Sequence, residues 1–163
     1  VLDGGMPKWL AEGRAVTAET APVPPKKRSA RRQAALVRSR EDMLANIDSK
    51  AEQVVDARSA GRFNASEPEP RAGMRGGHIP NSKNVPFPAV IREDRTFKTP
   101  DDVRAIFAGA GVNLEAPITT TCGSGVTAST LALALFLAGV EDVAVYDGSW
   151  SEWGARQDTP IDQ

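Results

Sequence analysis

The stretch PITTTCGSGVTASTLALALFLAG, residues 117–139, decides the fold. Its first part, Pro117–Thr121, is rich in β-branched residues and predicts a strand. The largely apolar run Val126–Ala138 predicts a helix that is buried on most sides and that Gly139 ends. Cys122–Gly125 is therefore the turn that joins the carboxyl end of a strand to the start of a helix.

Further strands and helices alternate on both sides of this unit. Short β-branched runs predict two more buried strands, at Gln53–Ala57 and Val143–Tyr146. Three helices are predicted, one from a capping box at Ser39, one from an N-cap at Thr99 with Pro100 behind it, and a short final one that carries Trp150 and Trp153. This alternation predicts an α/β domain with a central, mostly parallel sheet flanked by helices, which binds ligands at the carboxyl ends of its strands.

Composition and an internal repeat divide the chain into three parts. Residues 17–32, TAETAPVPPKKRSARR, are rich in Pro and basic side chains and predict a linker. Residues 1–9 align without gaps on residues 145–153 and match at Val, Asp, Gly and Trp, with an offset of one domain length. We therefore interpret residues 1–16 as the last strand and helix of an earlier copy, and residues 33–163 as the main domain.

Charge and cysteine content exclude several classes of function. The 163 residues carry 20 Lys and Arg against 21 Asp and Glu, with no basic stripe, so nucleic acid is not an expected partner. The longest apolar run, Leu131–Val140, is shorter than the roughly 20 residues of a membrane span, and the first residues do not show the charged-then-apolar pattern of a signal peptide. One Cys and one His exclude an internal disulfide and a Cys/His zinc cluster. We expect a cytoplasmic protein that needs no metal or cofactor and does not bind membranes.

Cys122 has two interpretations on the residues alone. At the end of a strand and the start of a helix, converging backbone N–H groups stabilise a thiolate, which favours a nucleophile. Gly123 and Gly125 permit the required turn, and Ser124 and Thr127 add hydroxyl donors. The alternative is a small, buried, unreactive side chain. Ala128 stands where a cysteine phosphatase needs arginine, so phosphate ester hydrolysis is disfavoured.

Four blocks of sequence carry a resemblance to a known family. VVDARSAGRF, EPEPRAGMRGGHIPNSKNVPF, CGSGVTAS and VAVYDGSWSEWGA occur in this order between about residues 39 and 158. Together they resemble the C-terminal catalytic domain of the tandem rhodanese family, and residues 1–16 resemble the tail of that family's N-terminal rhodanese domain. Gly123 and Ser124 stand where the members that use thiosulfate carry Arg and Lys, which favours the members that use 3-mercaptopyruvate.

The resemblance implies a two-step sulfur transfer. Cys122 would take sulfur from 3-mercaptopyruvate as a persulfide, release pyruvate, and pass the sulfur to a thiol such as thioredoxin or a small thiol, or to cyanide. Ser124 would assist proton transfer, and Arg62 and Arg71 would bind the substrate. The backbone of the cysteine loop would cradle the persulfide, at positions Gly123, Gly125, Val126 and Thr127.

The same resemblance implies limits and alternatives. The family's N-terminal domain supplies part of the site, so this chain alone is expected to load sulfur but to turn over slowly. Thiosulfate sulfurtransfer and a non-catalytic interaction domain stay open as other functions. We expect structural roles for Arg58, paired with Asp56, and for His78 in a turn. Trp150 and Trp153 are expected to pack the final helix.

Overall fold

A fully parallel sheet of five strands forms the centre of the computed structural model, which describes residues 1–27 and 29–163. Residue 28, in the predicted linker, lies outside these ranges. The strands are β1 Val37–Arg38, β2 Gln53–Asp56, β3 Lys83–Asn84, β4 Ile118–Thr121 and β5 Val143–Tyr146. Their spatial order is β1-β5-β4-β2-β3, so β4 lies between β2 and β5. The predicted α/β fold with a parallel central sheet is confirmed.

Six α-helices accompany the sheet in the described ranges. They are α1 Gly5–Ala11, α2 Arg40–Ser49, α3 Ala60–Phe63, α4 Pro100–Gly109, α5 Val126–Leu137 and α6 Ser149–Trp153, and short 3-10 turns lie at Ala34–Leu36 and Phe87–Val90. Both predicted helix starts are confirmed. The Ser39 side chain and Asp42 form a reciprocal capping box, and the Thr99 hydroxyl accepts from the backbone N–H of Asp102.

The core has two parts, one on each face of the sheet. Adjacent residues of β2 point to opposite faces, with Val55 in the larger cluster and Val54 in the smaller one. Helices α4 and α5 cover the larger cluster, and α2 and α6 cover the smaller one. The site-bearing α5 therefore packs on one face of the sheet, while α6 packs on the other.

The prediction that α5 is buried on most sides is wrong. Val126, Phe136 and Leu137 are exposed by 72%, 61% and 51%. One face packs on the core, through Ala128, Leu131, Ala134 and Leu135. Residues 131–138 are all apolar and carry no periodicity, so the sequence could not show which face the sheet would leave uncovered.

The N-terminal segment forms a helix but not the predicted strand. Val1 and Leu2 lie in no strand in the part of the chain that the structure describes. Helix α1 begins at Gly5, the residue that the repeat aligns with Ser149, where α6 begins. Asp3 accepts from the Phe97 N–H at 3.0 Å, which ties the segment to the main domain. The origin of residues 1–16 in an earlier copy stays a prediction.

The remaining described residues add two observations. Residues 17–27 and 29–32 lie in neither helix nor strand, in accord with the predicted linker. Throughout the described ranges, every helix is too short or too polar to cross a membrane.

Candidate active site

The site lies where three neighbouring strands end. Strand β4 ends at Thr121 and leads directly into Cys122, while β2 ends at Asp56 and leads into Ala57 and Arg58, and β5 leads into Asp147–Ser149. In a parallel sheet the carboxyl ends of neighbouring strands lie at one edge, which is where α/β domains bind ligands. The predicted strand–turn–helix arrangement of the cysteine loop is confirmed, since α5 begins at Val126 with Gly125 as its N-cap.

Cys122 is buried, but its sulfur is surrounded by donors. The residue is 2% exposed and belongs to the larger core cluster. Burial raises the pKa of the thiol. The Thr127 hydroxyl and the backbone N–H groups of Ser124, Ala128 and Thr127 lower it by a larger amount in total, so that the pKa lies below the ordinary value. The Ser124 N–H reaches Sγ at 3.4 Å. This environment favours a thiolate, as a nucleophile requires.

Two glycines shape the cysteine loop, each for a different reason. Gly125 has φ +83°, and a Cβ there would lie 2.8 Å from the Asp147 carbonyl oxygen. A Cβ at Gly123 would lie 3.0 Å from Nη2 of Arg62, so the absent side chain leaves room for a guanidinium beside the loop.

Three residues at the start of α6 hold the cysteine loop in place through hydrogen bonds to its backbone. The Cys122 N–H donates to the Ser149 hydroxyl at 3.1 Å, and the Trp150 N–H donates to the Cys122 carbonyl at 2.9 Å. The Ser151 N–H donates to the Gly123 carbonyl at 2.8 Å. Sequence reasoning missed the two serines. The available signal was their position just after β5, the strand that lies beside β4.

Both predicted arginines lie beside the loop. Arg62 belongs to α3, whose N-cap is Ser59, and Nη2 of Arg62 lies 2.6 Å from Glu69 Oε2. Nη1 of Arg71 donates to the Ser151 hydroxyl. The long turn-rich stretch after β2 thus brings two guanidinium groups to the carboxyl edge of the sheet.

A cavity of about 130 Å³ opens between these groups. It is lined by Arg62, Glu69, Pro70, Arg71, Met74, Gly123, Ser124, Trp150 and Ser151. Four predicted site residues meet there, namely both arginines, Gly123 and Ser124. Cys122, Gly125, Val126 and Thr127 do not line it. Thr127 instead lowers the pKa of the Cys122 thiol, and Val126 is largely exposed.

A buried charge network supports one wall of the cavity. The Arg58 guanidinium is fully buried and lies 2.6 Å from Asp56 Oδ2 and 2.8 Å from Glu69 Oε1. The predicted structural pairing of Arg58 with Asp56 is confirmed. Glu69 is a residue that sequence reasoning missed, because an acid in a turn-rich stretch carries no sign of the partners that the fold brings to it.

The remaining candidates have mainly structural roles. His78 stacks on Phe63 with ring centroids 3.7 Å apart, and its Nδ1 lies 2.9 Å from the Phe63 carbonyl oxygen. Trp153 is buried in the smaller core cluster, as expected. Trp150 is also buried there, as expected, but it lines the cavity as well, which the sequence analysis did not expect. The described residues contain no group of three His, Cys, Asp or Glu that could hold a metal ion.

Comparison with known proteins places this site in a wider context. Residues 39–156 match the family model of the rhodanese-like domain. The chain is 42% identical over 156 residues to 3-mercaptopyruvate sulfurtransferase of Rattus norvegicus, covering 96% of this chain and 52% of that protein. It is 46% identical over 157 residues to thiosulfate sulfurtransferase of the same organism, covering 96% of this chain and 53% of that protein.

A solved structure agrees with the sequence comparisons. The crystal structure of SseA, a 3-mercaptopyruvate sulfotransferase from Escherichia coli, superposes with a TM-score of 0.77 and 38% identity. The match covers 92% of this chain and 55% of that one. The chain thus spans about half the length of the curated relatives that it matches.

Proposed function

This chain belongs to the family of rhodanese-like domains, and on that premise we propose that it is a sulfurtransferase that carries sulfur as a persulfide on Cys122. One observation carries the proposal. A thiol with a lowered pKa lies behind Gly123 and Ser124, which line a cavity that also contains two guanidinium groups. A nucleophile, an anion-binding wall and a small cavity are the parts that this reaction needs.

In the first step the Cys122 thiolate attacks the sulfur of 3-mercaptopyruvate. A sulfur–sulfur bond forms, the carbon–sulfur bond breaks, and its electron pair remains on the departing carbon as the enolate of pyruvate. The proton of the donor's own thiol then converts the enolate to pyruvate and leaves the persulfide as an anion, and Ser124, exposed at the cavity wall, is placed to pass this proton. The enzyme retains the persulfide, whose negative charge the N–H groups of the loop stabilise.

In the second step an acceptor thiolate attacks the outer sulfur of the persulfide. The bond between the two sulfurs of the enzyme breaks, and Cys122 leaves as a thiolate that is ready for the next donor. A lowered pKa makes Cys122 a good leaving group. The hydrogen bonds that stabilise its thiolate for attack in the first step therefore also favour its release in the second. Thioredoxin, a small thiol or cyanide fits the acceptor role.

The distribution of positive charge favours 3-mercaptopyruvate as the donor. Its carboxylate suits a guanidinium fork, and the cavity supplies Arg62 and Arg71 beside the loop. The loop positions Gly123 and Ser124 contribute no cation of their own. Thiosulfate remains the competing donor, because the thiosulfate sulfurtransferase relative matches with similar identity.

Intact mass spectrometry tests this proposal. The chain is exposed briefly to 3-mercaptopyruvate or to thiosulfate, beside a Cys122→Ser control. We expect a gain of one sulfur atom with 3-mercaptopyruvate, a smaller loaded fraction with thiosulfate, and no gain in the control. Faster loading from thiosulfate would make the chain a thiosulfate sulfurtransferase, and no gain from either donor would favour a non-catalytic interaction domain.

A further inference from the structure

Ser151 contacts both Arg71, one of the two predicted substrate-binding arginines, and the cysteine loop. Its hydroxyl donates to the Gly123 carbonyl at 2.6 Å and accepts from Nη1 of Arg71. Its backbone N–H donates to the same carbonyl at 2.8 Å. A hydroxyl has one hydrogen to donate and lone pairs to accept with. The Ser151 hydroxyl donates its one hydrogen to the Gly123 carbonyl, and its oxygen still has a lone pair that accepts from the Arg71 guanidinium.

The Gly123 carbonyl is one end of the peptide unit whose other end contacts the nucleophile. The N–H of this peptide belongs to Ser124 and reaches Sγ of Cys122 at 3.4 Å. A trans peptide is planar, so fixing the carbonyl direction also fixes the direction of the N–H. Two donors on the carbonyl polarise the peptide and strengthen its N–H as a donor to the thiolate.

Arg71 depends on Ser151 for its position. It is exposed and lies in the turn-rich stretch after α3, and within the described ranges its guanidinium has one hydrogen-bond partner, Ser151. Arg62 differs, because Glu69 already holds it through two hydrogen bonds. A long, exposed arginine without an anchor would lose more conformational entropy on binding a substrate.

We propose that Ser151 is a positioning residue for sulfur transfer, which holds Arg71 and the Gly123–Ser124 peptide in one fixed arrangement around the donor. The inference rests on the proposed function, since it assumes that Arg71 binds the donor's carboxylate. Ser151 acts through its two neighbours and has no contact with the thiol. It sets the affinity for the donor through Arg71 and the stability of the thiolate through the peptide.

The test compares Ser151→Ala, Ser151→Thr and the matched control Ser82→Ala. The Ser82 hydroxyl also donates to a backbone carbonyl, that of Ile79 at 2.6 Å, but Ser82 does not line the cavity. Persulfide loading is followed by intact mass over a range of 3-mercaptopyruvate concentrations. The pH dependence of Cys122 alkylation by iodoacetamide measures the thiol pKa without any donor.

We expect Ser151→Ala to raise the half-saturating 3-mercaptopyruvate concentration about tenfold, the effect of one hydrogen bond to a charged group, and to raise the thiol pKa. Ser151→Thr, which keeps the hydroxyl, restores both values, and Ser82→Ala changes neither. In an Arg71→Ala background, Ser151→Ala no longer changes the half-saturating concentration but still raises the thiol pKa.

Either of two results overturns the inference. One is a Ser151→Ala chain with the half-saturating concentration and thiol pKa of the unaltered chain. The other is an undiminished effect on the half-saturating concentration in the Arg71→Ala background. Failure of the proposed function is distinguishable, because it appears as absence of loading in the unaltered chain, while the alkylation measurement still reports on Ser151.

Discussion

Glu69 holds the guanidinium of Arg62 through two hydrogen bonds, from Nη2 to Oε2 at 2.6 Å and from Nε to Oε1 at 3.2 Å. The same carboxylate accepts from the fully buried Arg58 at 2.8 Å, and only 4% of the Glu69 side chain is exposed. One acid therefore fixes a predicted substrate-binding arginine to the rigid interior. This connection is the means by which a turn-rich stretch acquires a defined geometry at the cavity.

Replacing Glu69 by Gln should destabilise the fold. The substitution leaves a buried guanidinium short of one carboxylate partner, a change that costs about 3 kcal/mol of unfolding free energy. Urea unfolding followed by tryptophan fluorescence measures this. The matched control is Glu67→Gln, since Glu67 lies on the same stretch, is exposed and bonds to the Ser59 hydroxyl. Equal stability of the two variants would contradict the buried role of Glu69.

Arg62 should require its planar fork and not merely its charge. We expect Arg62→Lys to raise the half-saturating 3-mercaptopyruvate concentration at least about tenfold, because an ammonium cannot bond to Glu69 and a donor carboxylate in the same bidentate manner. Single-turnover persulfide loading, followed by intact mass, gives this concentration. Arg156→Lys is the control, since Arg156 is exposed and pairs with Asp158. Equal half-saturating concentrations in Arg62→Lys and Arg156→Lys would show that Arg62 does not bind the substrate.

The thiol pKa of Cys122 should depend on Thr127. Burial raises this pKa, and the Thr127 hydroxyl is the strongest of the groups that lower it below the ordinary value. Loss of the hydroxyl in Thr127→Val should move the pKa upward, so that the thiolate fraction, and with it the alkylation rate, falls at a pH below the pKa. The pH profile of iodoacetamide alkylation measures the shift.

The control for this measurement is Thr130→Val, one helical turn further along α5. Thr130 is half-buried like Thr127, and it is not among the groups that lower the pKa of Cys122. We expect its thiol pKa to equal that of the unaltered chain. A pKa that is unchanged in Thr127→Val as well would show that the backbone N–H groups alone stabilise the thiolate.

Local sequence signals predicted the elements that carry the cysteine. The capping box at Ser39 and the N-cap at Thr99 each specify a helix start through bonds made within four residues, so no tertiary information was needed. The β-branched run before Cys122 specified β4 in the same way. The edge strands β1 and β3 were not predicted, because each has two residues and no recognisable pattern.

Residues that depend on tertiary contacts could not be predicted from their neighbours in sequence. Glu69 and Ser151 are 11 residues or more from Arg58 and Arg71 respectively, and the fold alone brings each pair together. Ser149 adopts φ +49°, which no local signal indicates for a serine. The turn that holds Cys122 could be predicted because it is local, whereas the contacts that support this turn depend on α6 and the stretch after β2.

The loop conformation at Gly125 can be separated from the space around it by a pair of substitutions at the two ends of α5. Gly125 and Gly139 have nearly equal φ angles, +83° and +80°. A Cβ at Gly139 would meet nothing within 4 Å, whereas one at Gly125 would lie 2.8 Å from the Asp147 carbonyl oxygen. Gly139→Ala therefore measures the conformational cost of the left-handed backbone, about 1 to 2 kcal/mol of unfolding free energy.

Gly125→Ala should cost more, because the loop must move away from Asp147, and that movement displaces the N–H groups that lower the pKa of Cys122. We expect Gly125→Ala to lose persulfide loading while Gly139→Ala retains it. Equal losses of stability with full loading in both variants would show that the close approach of the loop to Asp147 has no part in the chemistry.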